Sequence, residues 1–280
     1  GKHAIQAKLT NNERKKRIKQ MADIESSHKN LANDMEKYDE YLELFERKDE
    51  NDSYESNVFS YIDDNIDKNL KILRENEFIS MDAVASTIKI LDKGIISSQV
   101  QEVHSLLMGE LYIKSQGFMG YSSEDLVALF SCFTNIKVDD TLKTYNTYKI
   151  REGEGEGNSI EFLLKQAKNI YETYEILERE NHLLGANDTE DILHFDLLEY
   201  MYGWCKADKE EDCKVLIERI KREKNIFLGD FVKAIIKINN IAVELEKVCE
   251  MLNNMELKER LSRIGGLTLK YVATNQSLYV

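Results

Sequence analysis

An almost entirely α-helical fold is predicted, and three observations predict it. Proline is absent from all 280 residues, against an average usage of about 5%. Apolar residues return by threes and fours over long stretches, which is helical spacing. The balance of 42% hydrophobic to 32% charged residues is that of a soluble globular or helical-array protein. Missing proline does not by itself prove helix, because proline breaks sheet ladders too. An AT-rich coding sequence would also deplete it. The chain is long enough for a large buried core, and no apolar run approaches the roughly 18 residues of a membrane span.

The chain begins with polar, basic GKHAIQAK, which has no apolar signal region. Without an initiator Met, it is expected to be a piece of a longer protein. After the basic patch Arg14-Lys15-Lys16-Arg17, a heptad-like stripe runs through Ile18, Met21, His28, Leu31, Met35, Tyr38, Leu42 and Phe45. Ile24 bridges its one wide gap imperfectly. Such a stripe suits a coiled-coil-like arm or a helix laid along a partner. The acidic run Arg47 to Asn57 is expected to end it as a loop.

A second helix is expected from Phe59 to Asn76, with Ile62, Ile66, Leu70 and Leu73 on one face. FISMDAVAS reads as a short helix, and IKILDKGIISSQV as two short extended segments turning at Lys93-Gly94. That helix-helix-hairpin order suits the end of a winged-helix module. From Val100 to Tyr112 the pattern is helical again. Gly117 to Gly120 is a turn, and Ser122 with Asp125 has the spacing of a capping box. The following DLVALFSCF is apolar nearly all round and so expected to be buried.

Residues 136–158 contain a Glu-Gly alternation with nothing to bury, the composition of a mobile loop. Helices should follow over Ser159–Leu184, Thr189–Ala207 and Asp212–Glu223, and a closing helical pair from Gly229. The organisation is therefore an arm over 1–52, the end of a winged-helix module over 53–99, and a helical bundle over 100–280.

Chemistry is constrained by missing motifs. The sequence has no phosphate loop, no DExH carboxylate pair on a buried strand and no dinucleotide-binding glycine fingerprint. Gly153, Gly155 and Gly157 alternate with glutamates that would repel phosphate. Glu25 to His28 has the Glu-x-x-His spacing of a di-iron helix, but no second such unit exists. No catalytic residue and no metal site are assigned, and His104, His182 and His194 are isolated. The cysteines, Cys132, Cys205, Cys213 and Cys249, are far apart in apolar patterns, as in reduced intracellular cores. The sequons at Asn51, Asn187 and Asn275 then mean nothing.

Net charge is −13, but residues 214–280 carry +4 and the rest −17. Nucleic-acid binding needs a locally positive surface rather than a basic whole. On the helix after Gly229, Lys233 and Lys237 stand at i and i+4, hence on one face.

Several landmarks together resemble the C-terminal helical domain of the exosome-associated, superkiller-like DExH RNA helicases. Phe227 and Gly229 match a Phe-x-Gly helix opening, Asn254 and Leu257 an Asn-x-x-Leu turn, and Ser277-Leu278-Tyr279-Val280 the family's Ser-Leu-Tyr-Leu ending. Upstream, Leu106-Leu107, Glu110, Gly117-Phe118 and Ser131-Cys132-Phe133 fall in the family's order, followed by Tyr202 and Trp204. Residues 66–79, IDKNLKILRENEFI, resemble the segment closing the winged helix, and the arm resembles the helix returning from a stalk-like insertion. Trp204, Tyr202, Phe133 and Cys132 read as core residues, and the tail Leu278-Tyr279-Val280 as docked in the bundle.

The resemblance implies a module that guides single-stranded RNA for a 3′-to-5′ helicase in RNA processing or degradation. ATP and Mg²⁺ would bind in RecA-like lobes that these residues do not encode, so no ATPase activity and no cofactor are expected of the chain itself. Lys233, Lys237 and Asn240 are the expected RNA contacts. Where the family's helix reads Arg…Arg-Leu-Glu-Glu, Lys233 and Lys237 replace the arginines, and Asn239 and Asn240 the glutamates. Lysine keeps the point charge and loses the planar fork. Implied partners are the RecA-like lobes and exosome or adaptor proteins, with no membrane. The implied location is intracellular, nuclear ahead of cytoplasmic. The competing reading is a helical scaffold that docks a protein through its heptad arm and binds no RNA.

Overall fold

The computed structural model describes residues 10–28, 30–82, 87–145, 160–183 and 193–273. The chain divides into two compact units, residues 1–66 and 67–280. Helix dominates both, as predicted.

In the first unit, α1 (Asn11–Ser27) opens on a capping box between Thr10 and Glu13. It stops at His28, whose backbone is extended (φ −119°, ψ 99°). The heptad stripe is thus split between two helices. The second, α2 (Leu31–Glu75), is 45 residues long and runs straight through the loop expected over 47–57. Polarity alone does not stop a helix; a breaker does, and this stretch has neither glycine nor proline. Four apolar side chains of the stripe on α2 face outward, Met35, Tyr38, Leu42 and Phe45 being between 39% and 61% exposed.

The second unit begins in the last turns of α2, where Ile72 is buried. The helix ends in a Schellman-type turn: Glu77 is left-handed (φ 60°), and Phe78 N–H donates to the Leu73 carbonyl at 2.8 Å. A two-stranded antiparallel hairpin follows, β1 (Ile79–Met81) against β2 (Ile88–Ile90), with Ile79 opposite Ile90. Part of the segment expected to be a short helix is therefore strand, while its residues 83–86 lie outside the described ones. The expected hairpin at Lys93-Gly94 is instead a helix, α3 (Asp92–Gln99). Gly94 marks close packing, not a turn: a Cβ there would lie 2.3 Å from the Phe78 carbonyl oxygen.

The helix expected from Val100 starts only at α4 (Ser105–Lys114), with His104 as its N-cap. α3 and α4 pack closely, since Gly109 carries no Cβ to strike Ser97 Oγ, 2.3 Å from where it would stand. Lys93 Nζ binds Glu110 at 2.5 Å and the Asn76 carbonyl at 2.6 Å, and Tyr174 donates to Glu110 at 2.9 Å. This half-sequestered network ties the end of α2 to α3, α4 and α6 (Ile160–Glu180).

α5 (Ser123–Ser131) has the predicted Ser122–Asp125 capping box. Every residue from Asp125 to Ser131 is buried, so it forms the centre of the bundle. Around it lie α7 (Leu198–Lys206), α8 (Glu210–Lys224), α9 (Leu228–Leu252), α10 (Met255–Ser262) and the short α11 (Ile264–Thr268). α5 packs on α7, and α9 contacts α3, α5, α10 and α11. α7 starts nine residues later than expected; the chain before it, from Leu193, is not helical, and 184–192 lie outside the described residues.

Trp204 is fully buried, stacks edge-on against Phe231 at 4.8 Å and donates to the Thr268 carbonyl at 2.9 Å. Tyr202, Phe133 and Cys132 are buried as expected. All four cysteines are free and buried. Burial raises the Cys205 thiol to about 12 and the Cys249 thiol to about 11, and pushes Cys132 higher still.

The expectation of a loop with nothing to bury over 136–158 fails for its first ten residues. Ile136 and Val138 are buried, and Thr144 N–H donates to the buried Asp196 at 2.7 Å. Lys224 Nζ closes the clasp on Asp196 at 3.1 Å and on the Leu142 carbonyl at 2.5 Å. Residues 146–159, including the Glu-Gly alternation, and the tail from Thr274 lie outside the described residues.

Candidate nucleic-acid interface

α9 combines a buried face with one that faces out. Phe231, Val232, Ala234, Ile235, Ile238, Ile241, Ala242 and Leu245 are buried, a wide apolar stripe that fixes the helix's rotation. Gly229, Lys233, Lys237, Asn240 and Glu244 follow one another by fours and threes along the other side. Phe227 caps the helix without a side-chain hydrogen bond, and Asn253 ends it in the left-handed region (φ 57°). Asn254 then caps α10, accepting from Leu257 N–H at 3.1 Å, which is the predicted Asn-x-x-Leu turn.

The three predicted contact residues are differently placed. The Lys233 side chain is 72% exposed and meets Asp230 at 3.3 Å, a surface pair worth at most about 1 kcal/mol. Its ammonium remains available. Lys237 is half-buried. Burial holds its pKa below the usual lysine value, and nearby Glu102 works in the opposite direction. Asn240 is exposed and donates its amide to Glu102 Oε1 at 2.9 Å. Asn239 turns inward, donating to the Ile235 carbonyl and to Thr268 Oγ1, each at 2.8 Å. It belongs to packing against α11.

Glu102 and Glu244 are the members of this surface that sequence reasoning missed. Glu244 accepts from Gln101 N–H at 2.9 Å and Glu102 N–H at 3.1 Å, fixing the loop before α4 against α9. Helical spacing signals Glu244, one turn beyond Asn240. Nothing in the sequence signals Glu102, because a loop residue has no periodicity. Gly229 also stands out, since a Cβ there would meet nothing within 4 Å. The helix therefore has a glycine that internal packing does not require.

Other ionisable clusters are engaged structurally. A cavity of about 580 Å³ is lined by Lys143, Thr144, Lys168, Glu172, His194 and Asp196. Asp196 there is already held by Lys224 and Thr144. Among the described residues, no group of three or more His, Cys, Asp or Glu could hold a metal ion. Nor is any described helix long and apolar enough to cross a membrane.

Residues 87–267 match the family model described as the DSHCT (NUC185) domain. This chain belongs to the DSHCT family. The DSHCT domain is a C-terminal domain of superkiller-like DExH helicases, so the resemblance drawn from Phe227-x-Gly229, the Asn254 turn and the Tyr202–Trp204 helix holds at that level. The DSHCT match opens at the second strand of the hairpin and closes within α11, so it includes all of α9 and both carboxylates beside it. Against curated proteins the chain has no match.

Proposed function

We propose that this chain is the RNA-guiding C-terminal module of an ATP-dependent 3′-to-5′ DExH RNA helicase that acts in exosome-linked RNA processing and degradation. Its DSHCT membership supports the helicase context. The observation that supports RNA guiding is the outward stripe of α9, where Lys233, Lys237 and Asn240 stand on one face of a helix whose other side is locked in the core. The module works with a pair of RecA-like lobes, which bind ATP and Mg²⁺, and holds a single strand between strokes. Exosome or adaptor proteins are its further partners, and the nucleus its location.

The test is binding of a labelled single-stranded RNA to the 280-residue chain by fluorescence anisotropy over a salt series. Two phosphate contacts on a single strand give a slope of about −1.4 in log affinity against log salt. The double substitution Lys233→Glu, Lys237→Glu should abolish binding while leaving Trp204 fluorescence unchanged. Retained binding in that variant refutes this face.

The exposed apolar residues of α2, among them Tyr54 at 72% and Phe59 at 58%, favour a second reading. In it the arm docks a protein and the chain binds no RNA. Absence of RNA binding together with partner capture that is lost on substituting Tyr38 and Phe45 would select it.

A further inference from the structure

Building on that reading of α9, we propose that Glu102 and Asn240 form a base-reading subsite, selective for nucleobases that bear an exocyclic amino group, while Lys233 serves the phosphates. The geometry fixes the chemistry each group presents. A carboxylate can only accept hydrogen bonds, so the 2.9 Å contact requires Asn240 to turn its amide nitrogen toward Glu102. The Asn240 carbonyl oxygen then remains as an acceptor on an exposed side chain. The second carboxylate oxygen of Glu102 is also an acceptor. Beside them Lys237 supplies a single ammonium, near enough to Glu102 for that carboxylate to raise its pKa against the effect of burial.

Two acceptors, one of them charged, are a poor seat for a phosphate. They suit the amino group of cytosine N4, adenine N6 or guanine N2, which a carboxylate or amide oxygen accepts from. Uracil has no such group. Glu102 can hold this position because Glu244 binds the backbone N–H groups of residues 101 and 102. The reading group is thus anchored to the same helix that carries the lysines. Lys233, exposed and only weakly engaged by Asp230, is the freer of the two cations for the backbone.

The test compares 12-nucleotide oligo(C), oligo(A) and oligo(U) RNAs by anisotropy at one salt concentration. The wild-type chain should bind oligo(C) and oligo(A) more tightly than oligo(U) by about fivefold or more, the low end of discrimination by a good base contact. Glu102→Gln keeps the bond to Asn240 but presents an amide donor in place of the outer acceptor. It should tighten oligo(U) and erase or invert the preference. Asn240→Ala, which changes no charge, should also reduce the preference.

An equal gain for all three RNAs in Glu102→Gln, with no effect of Asn240→Ala, would reduce Glu102 to a charge effect and overturn this inference, leaving the RNA-guiding role intact. Equal wild-type affinities would overturn it as well. Failure of the chain to bind any of the oligonucleotides, or binding indifferent to Lys233→Glu, Lys237→Glu, would instead sink the underlying reading, and this inference with it.

Discussion

α2 and α9 are both long helices with recurring apolar residues, yet they end up in opposite environments. α9 buries Phe231, Ile235, Ile238, Ile241 and Leu245 completely or nearly so. α2 leaves Tyr38, Phe45, Phe59 and Ile62 about half exposed. The difference lies in the width of the apolar face and in what bounds the helix. On α9 the face spans adjacent positions such as Val232 with Phe231 and Ile241 with Ala242, enough to be covered by four neighbouring helices. On α2 the stripe is narrow and is interrupted by the polar run 47–57. Its length reflects the absence of breakers, with propensity and cooperative extension sustaining it. Periodicity predicts that a helix forms; the width of the stripe predicts whether the chain itself covers it.

This contrast can be broken at several points. The largest effect is expected at Glu110→Ala, which leaves the Lys93 ammonium without its carboxylate in a site where both side chains are under 14% exposed. Removing one partner of such a pair costs about 3–5 kcal/mol. Urea denaturation followed through Trp204, the chain's single tryptophan, would measure it. Gly229→Ala should act in the other direction. It meets no atom within 4 Å, and at the second residue of α9 alanine should stabilise the helix by up to the roughly 0.5 kcal/mol at the low end of a mid-helix exchange. A higher midpoint accompanied by weaker RNA binding would mark Gly229 as a point of close strand approach.

Phe45→Ser, on the exposed arm, should change stability by no more than about 0.5 kcal/mol. A larger loss by the same denaturation would show that the arm's stripe is covered after all.

The smallest effect concerns pH. Burial lowers the Lys237 pKa, so the folded chain releases this proton more readily than an unfolded one. Charging Lys237 opposes folding at low pH, and that opposition fades as pH rises from the lowered folded pKa toward the ordinary lysine value. RNA affinity runs the other way, falling over the same window as the ammonium is lost. A 2′-O-methyl oligonucleotide would show this decline, and Lys237→Arg, which stays charged, should remove it.

Much of the bundle was legible because its signals are local. Ser122 with Asp125 and Asn254 with Leu257 declare helix starts through short side-chain-to-backbone bonds. The continuous apolar run of α5 declares its own burial. The errors came where a residue's reason is tertiary. Gly94 reads as a turn residue, but it is glycine because the Phe78 carbonyl presses on α3. Residues 47–57 read as a loop, though nothing in them forbids a helix. In the candidate interface, helical spacing placed Lys233, Lys237 and Asn240 correctly on one face. It could not separate Asn239, which turns to Thr268, from Asn240. It had no means of bringing in Glu102 from 138 residues away.

The sequestered thiols have a practical consequence. With all four sulfurs buried and their ionisation suppressed, maleimide chemistry should pass over the native chain. One Asn240→Cys substitution would then give a unique attachment point for a dye, directly beside the groups meant to meet the strand.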